Sequence, residues 1–190
     1  MTDTILNPNC PTLRHILNSD QCEENYAGLG STAYVFNKDD LAKPLEANKE
    51  VYTFNSGSFK EGKGFYKVEL RENSQSFTGE SQGRRKGFKI TSNLIVEVVN
   101  EATAELLRAM NNLDFGFVLS DGDKWQILYS PNQKVTIDAG GLKTETGAAA
   151  SDDRITTIAP TLENVKYPNL WVEFKGEGDE DLTPEDMLAD

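Results

Sequence analysis

The sequence predicts a mainly β domain, a sandwich or barrel carrying one packed helix. Three observations predict it. From Phe65 onward the apolar period is mostly two, a single segment from Glu101 to Asn111 switches to a helical period, and an Asp-Gly pair separates two alternating runs. The 190 residues include nine Phe, six Tyr and two Trp, enough large apolar groups to fill a sizeable core.

The elements follow in chain order. Tyr34-Val35-Phe36 and Val51-Tyr52-Thr53-Phe54 predict short strands, with a turn over Leu41–Leu45 between them. Tyr66, Val68 and Leu70 then share one face, opposite Lys67, Glu69 and Arg71. In the longest run, Phe88, Ile90, Leu94, Val96 and Val98 stand at even positions against Lys89, Thr91, Asn93 and Glu97, which predicts a long half-buried strand. Asn100 is a good N-cap for a helix placing Ala102, Leu106, Leu107 and Met110 on one stripe, and Asn111-Asn112 can stop it in the left-handed conformation. Phe115, Phe117 and Leu119 lead into Ser120-Asp121-Gly122-Asp123, and Trp125, Ile127 and Tyr129 lead out, the pattern of a tight hairpin. Val135 and Ile137 continue the alternation. Gly140 to Ser151 reads as a Gly/Ala/Thr-rich loop before strands at Arg154–Ala159 and Leu170–Phe174. The chain thus divides into an extension with short strands (1–59), a β-sandwich body (60–175) and an acidic tail (176–190).

Charge narrows the function classes. The formal net charge is −12, and residues 176–190 carry seven acids and no base, over half of it. Such a chain repels phosphate, which argues against a protein that grips nucleic acid or an anionic membrane. No run approaches 18 apolar residues, so no membrane partner is expected, and Met1-Thr2-Asp3-Thr4 has neither the basic start nor the apolar run of a leader. The tail can form one short capped turn over Thr183-Pro184-Glu185-Asp186-Met187-Leu188 and reads either as a solvated, solubilising tail or as a docking peptide for a basic partner.

Catalytic and metal chemistry find no complete constellation. Cys10, His15 and Cys22 are three candidates where zinc needs four, and their spacing does not match the familiar patterns. His15 has no nucleophile-elbow partner for an acyl-transfer relay. Gly28-Leu29-Gly30-Ser31 and Gly62-Lys63-Gly64 lack the strand–loop–helix setting of a phosphate cradle and read as turns. Asp121/Asp123 and Asp152/Asp153 lack the spaced ligand set for calcium. The expectation is no enzyme, no cofactor and no metal.

One segment stands out. Ser74 to Gly87 is a Gly-punctuated connection ending in Arg84-Arg85-Lys86, three consecutive bases on an acidic protein. It reads as an ordinary solvated loop or as an assembly loop, since a basic projection complements the acidic remainder of a second copy.

In order of elements the sequence resembles a phage tail tube protein, the architecture shared with tube proteins of contractile injection systems and type VI secretion. The resemblance rests on Phe88–Val99, the helix Glu101–Asn111, Phe117-Val118-Leu119-Ser120-Asp121-Gly122, Thr146-Gly147-Ala148, Asp152-Asp153 and Ile155-Thr156-Thr157, and covers roughly residues 60–175. The opening Glu24-Asn25-Tyr26-Ala27-Gly28-Leu29-Gly30-Ser31 is similar to starts of virion proteins of Bacteroidota phages. The resemblance implies a self-assembling virion subunit, located in the tail after assembly in the host cytoplasm. Such subunits form stacked six-membered rings that pair sheets edge to edge, contact other tail or virion proteins, and pass DNA without tight binding. It further implies that Phe77, Arg84, Arg85 and Lys86 make ring-to-ring contacts. The lumen would be lined by Glu69, Arg71, Lys89, Thr91, Asn93 and Glu97, with Lys67 beside them. The competing reading is a capsid-decoration or ligand-binding β-domain of a virion, which an exposed aromatic cluster would favour.

Overall fold

The computed structural model describes residues 29–72, 74–84, 87–147, 153–178 and 180–189. Cys10, His15, Cys22, residues 24–28, Arg85, Lys86, Ala148 and Asp152 lie outside the described residues. The chain is a β-sandwich with one helix. Its larger sheet has seven strands and its smaller four.

The larger sheet takes strands from the whole described chain. β1 (Thr32–Asn37), β2 (Ala47–Asn48), β3 (Val51–Asn55), β4 (Tyr66–Glu69), β7 (Phe115–Asp121), β8 (Lys124–Leu128) and β11 (Trp171–Lys175) lie in the order β2-β3-β11-β8-β7-β1-β4. The strands expected in the extension are therefore interior: β1 sits between β7 and β4, and β3 pairs in parallel with β11. The smaller sheet is β5 (Ser76–Ser81), β6 (Phe88–Val96), β10 (Ile155–Val165) and β9 (Val135–Glu145), ordered β5-β6-β10-β9 and antiparallel throughout.

Both faces of the larger sheet are covered. One carries Val35, Phe117, Leu119 and Leu128, which share the hydrophobic core with Ile90, Leu94, Val96, Ile158 and Leu162 of the smaller sheet. The other bears an aromatic layer. Phe36, fully buried, meets the rings of Phe54, Phe59, Phe65 and Tyr129 at centroid distances of 5.4–6.1 Å. Edge-on ring pairs of this kind add to the burial of their large apolar area. Gly116 lies under the Phe36 ring, so closely that a β-carbon there would overlap it.

The acidic tail is not a free appendage. After the turn at Gly176–Glu180 it runs back as a strap: the Leu182 amide donates to Phe174 O at 3.1 Å, a 3₁₀ turn covers Pro184–Met187, and Phe65 N and O both bond the strap, at Met187 and Ala189. Pro184 and Met187 are buried against the core, which closes the aromatic layer. The short capped turn expected at Thr183 is present, with Asp186 accepting from both the amide and the hydroxyl of Thr183 at 2.8 Å.

Several local expectations are corrected. The hairpin pairs Asp121 with Lys124, so its central residues are Gly122 and Asp123, and only Gly122 has a positive φ, at +59°. That is the pattern in which glycine alone occupies the first central position. The helix, α1 (Glu101–Asn112), has its Asn100 cap reciprocated by Thr103, but Ala102 is exposed and Met110 is its one buried residue. It ends on extended Leu113, whose amide bonds Ala109 O, rather than on a left-handed Asn. The expected loop from Gly140 begins as strand: β9 continues to Glu145 through a bulge, where Ile137 faces Pro160 and Leu142 faces Ile158. Gly140, at φ +88°, makes that bulge possible. Finally, the flexible connection Ser74–Gly87 contains β5. Its alternation was invisible because glycine stands at 79, where the loop at Pro168 packs too closely for any side chain.

Candidate assembly surfaces

The smaller sheet presents one face to the core and one outward. On β6 the residues at even positions, Ile90, Ser92, Leu94 and Val96, are buried, which turns Lys89, Thr91 and Asn93 out. The register aligns their neighbours into rows. Thr78, Thr91, Thr161 and Thr136 lie side by side across all four strands. Glu80 faces Lys89, whose Nζ lies 3.4 Å from Glu163, and Ser76 faces Asn93. The result is a mostly polar face on which Thr161 itself is buried, Ile95 stands among the polar side chains, and the acids Glu80 and Glu163 outnumber Lys89. Cross-strand threonines and opposite charges of this kind stabilise a sheet face while leaving it wettable.

Both edges of this sheet are open: β5 pairs only β6, and β9 only β10, among the described residues. An unpaired edge offers a ladder of amides and carbonyls to any strand that meets it. The bulge and the charged Lys143 and Glu145 on β9 guard that edge against indiscriminate pairing.

Gln82, Gly83 and Arg84 lie in the connection between β5 and β6. Gln82 N donates to Gly87 O at 3.1 Å, the Gln82 side-chain oxygen accepts from Asn164 N, and Gly83 takes φ +113°. Arg84 is exposed on this turn, while Arg85 and Lys86 lie outside the described residues. Phe77 is not on the turn. It faces buried Ser92 on the core side of β5 and packs against the core, so the apolar anchor expected to project with the bases is directed inward.

The expected lumen residues fall into two groups. Lys89, Thr91 and Asn93 share the outward face of the smaller sheet. Glu69, Arg71, Glu97 and Lys67 do not: they line a recess, with Ser31, Thr32 and Glu72, at one end of the sandwich. There the Arg71 guanidinium bridges Glu97 at 3.2 Å and Asp153 at 2.6 Å, and the Asp153 contact raises its pKa further. Thr78, Thr136 and Thr161 were missed. Thr161 lies beyond Pro160, where a strand normally ends, and Thr78 lay in the segment read as a loop.

The strap is latched to β4 by charge. Lys67 Nζ lies 2.7 Å from Glu185, and Tyr34 OH donates to the same carboxylate at 3.2 Å. These bonds hold the Glu185 carboxyl below the usual carboxylate range and raise the Lys67 ammonium. Each shift stabilises the fold while its group is charged. The Glu185 contribution is present above the ordinary carboxylate pKa and is lost as pH falls through its lowered value. The Lys67 contribution is lost only as pH rises through its raised value. In pH-dependent thermal unfolding the wild type is expected to exceed Lys67→Met at neutral pH, with the two converging at acid pH. A gap that persists undiminished in acid contradicts the latch.

Among the described residues no group of three or more His, Cys, Asp or Glu is placed to hold a metal, and no helix is long and apolar enough to cross a membrane. Among the described residues, the surfaces open to another molecule include the two edges of the smaller sheet, the edges β2 and β4 of the larger one, the outward face of the smaller sheet and the charged recess at Arg71. Compared with protein-family models, with curated proteins and with solved structures, the chain matches none.

Proposed function

We propose that the chain is the self-assembling subunit of a phage-type tail tube, forming stacked rings, six-membered by the family resemblance, around a conduit for DNA. The observation that carries this reading is the four-stranded antiparallel sheet with both edges open. Because strand direction alternates, β5 and β9 run oppositely, and β9 of one copy can meet β5 of an identically oriented copy as an antiparallel pair. Repetition of that heterologous contact closes a ring and leaves no exposed ladder in the smaller sheet. The polar face then lies on one side of a continuous barrel, where hydroxyls and a surplus of carboxylates offer DNA no net attraction.

In this reading the subunit acts without catalysis. Its partners are further copies, other tail or virion proteins, and DNA in passage, and its location is the virion. The decoration reading calls for an aromatic surface cluster. Among the described residues the exposed large hydrophobics are Tyr66, Val98, Leu113 and Leu188, of which Tyr66 alone is aromatic.

The test is negative-stain electron microscopy of the purified full chain across a concentration series, with light scattering on the same samples and with seeded samples included. Rings or hollow filaments are expected. A monomer at every concentration, seeded or not, removes the tube and moves the protein to the decoration class.

A further inference from the structure

We propose that a recess between three loops of the sandwich binds a phosphate group, free or carried on a small molecule. The recess lies within one subunit, so the proposal stands apart from the tube reading.

The recess has a volume of about 300 Å³ and is enclosed by the β2–β3 turn, the β8–β9 loop, and the end of β10 with the segment leading to β11. Loops converging on a rigid sandwich are where such folds place binding groups. Each of the three is pinned. Lys38 Nζ donates to Ser130 O at 2.8 Å and to Gln133 O at 3.2 Å, which fixes the β8–β9 loop. Asn164 N donates to Gln82 Oε1 at 3.1 Å, and its backbone lies so close to Gly87 that no side chain fits there. The β2–β3 turn is clamped by the pairing of Asn48 with Val51. Donors mounted on pinned loops lose little freedom when a ligand arrives.

The lining is charged against the rest of the chain. The protein carries −12 overall, yet this recess has Lys49 and Lys166 and no carboxylate. Neither ammonium has an ion-pair partner among the described residues. The neighbouring acids Glu50 and Glu163 stay outside the lining, and Glu163 is paired with Lys89 at 3.4 Å. Asn132, Gln133 and Asn164 add side-chain amides, and Lys166 Nζ stands 5.4 Å from the centroid of the Tyr167 ring. Lysine meets phosphate as a point charge, and amide N–H groups supply the directional bonds. A phosphate group spreads its charge over at least three acceptor oxygens, which suits donors arriving from three sides better than a flat carboxylate does.

Backbone strain marks the same place independently. Among the described residues only two that are not glycine have a positive φ, Lys49 at +60° and Asn164 at +57°, and both line this recess. Asparagine tolerates that conformation, and the first central position of a two-residue hairpin turn ordinarily falls to glycine. A lysine there costs stability. What lysine offers at this position and glycine does not is its ammonium group.

The test is isothermal titration calorimetry on the full chain in about 150 mM NaCl, near physiological screening. Inorganic phosphate, glucose 6-phosphate and glucose are titrated into the wild type, Lys49→Gly and Lys166→Gln, with urea unfolding of each protein alongside. Saturable binding of phosphate or its ester and none of glucose is expected, and each substitution weakens it about tenfold, as for loss of one charged contact. Lys49→Gly should at the same time equal or exceed the wild type in urea midpoint, because glycine relieves the turn. Tighter binding of inorganic phosphate assigns the free ion, and tighter binding of glucose 6-phosphate assigns a phosphorylated molecule. No saturable binding of either phosphate, glucose bound as well as its phosphate, or both variants binding like the wild type overturns the proposal and leaves the tube standing. Should Lys49→Gly not fold, Lys166→Gln, at an exposed position, decides alone.

Discussion

Phe36→Ala is expected to destabilise the domain by about 3–5 kcal/mol, the usual result of deleting a fully packed aromatic ring. Phe36 has no exposed surface and touches four other aromatic rings. Those rings belong to separate elements, β3, the Phe59–Phe65 segment and the end of β8, so no single neighbour can collapse into the void. The loss would consume much of the 5–15 kcal/mol that ordinarily separates folded from unfolded chains. Urea unfolding measures it, as a lower midpoint at constant slope. Phe77→Ala provides the contrast. Its ring is only partly buried at the sandwich rim, and about 1–2 kcal/mol is expected from its area. A Phe36 deficit no larger than that of Phe77 would mean that the aromatic layer is loosely packed.

Proline at two adjacent positions of β9 is expected to separate folding from assembly. Lys143 and Thr144 face Thr157 and Thr156 of β10. In an antiparallel ladder the amides of successive residues point to opposite sides, so one of the two bonds β10 and the other points out from the sheet. Proline at the inward position removes a ladder bond and lowers stability. At the outward position it leaves the unfolding free energy within about 0.5 kcal/mol of wild type, as for a benign surface change. That second variant should remain monomeric under conditions where the wild type forms rings, because the next copy finds no donor there. If both variants close rings as the wild type does, β9 is not a joining edge.

Where side chains repeat with a strong local period, the fold was legible. β6 announced itself through Ile90, Leu94 and Val96, α1 through Asn100 and its apolar stripe, and the β7–β8 hairpin through Asp121-Gly122. What escaped was decided by distant neighbours. β5 has one large apolar side chain, Phe77, and a glycine where the Pro168 loop needs space, so nothing local distinguishes it from a turn. β9 continues past Gly140 because β10 supplies a partner and the bulge absorbs the extra residues. The strap is the clearest case. Its composition is that of a solvated acidic tail, while Lys67, Tyr34 and Phe65, which hold it, stand more than a hundred residues earlier. Of the candidate site, Arg84 and the outward face of β6 were readable from charge and alternation. The split of the remaining polar residues between a face and an end required the register.

The position of β11 reaches into the biosynthesis of the molecule. This strand, made more than a hundred residues after β3, lies between β3 and β8 and among the described residues is the only strand that pairs the β2-β3 pair to the other four strands of its sheet. A nascent chain still lacking it holds two unjoined fragments and an uncovered aromatic layer. Closure of the larger sheet therefore waits until β11 has left the ribosome, and until then the nascent chain has apolar surface to shield.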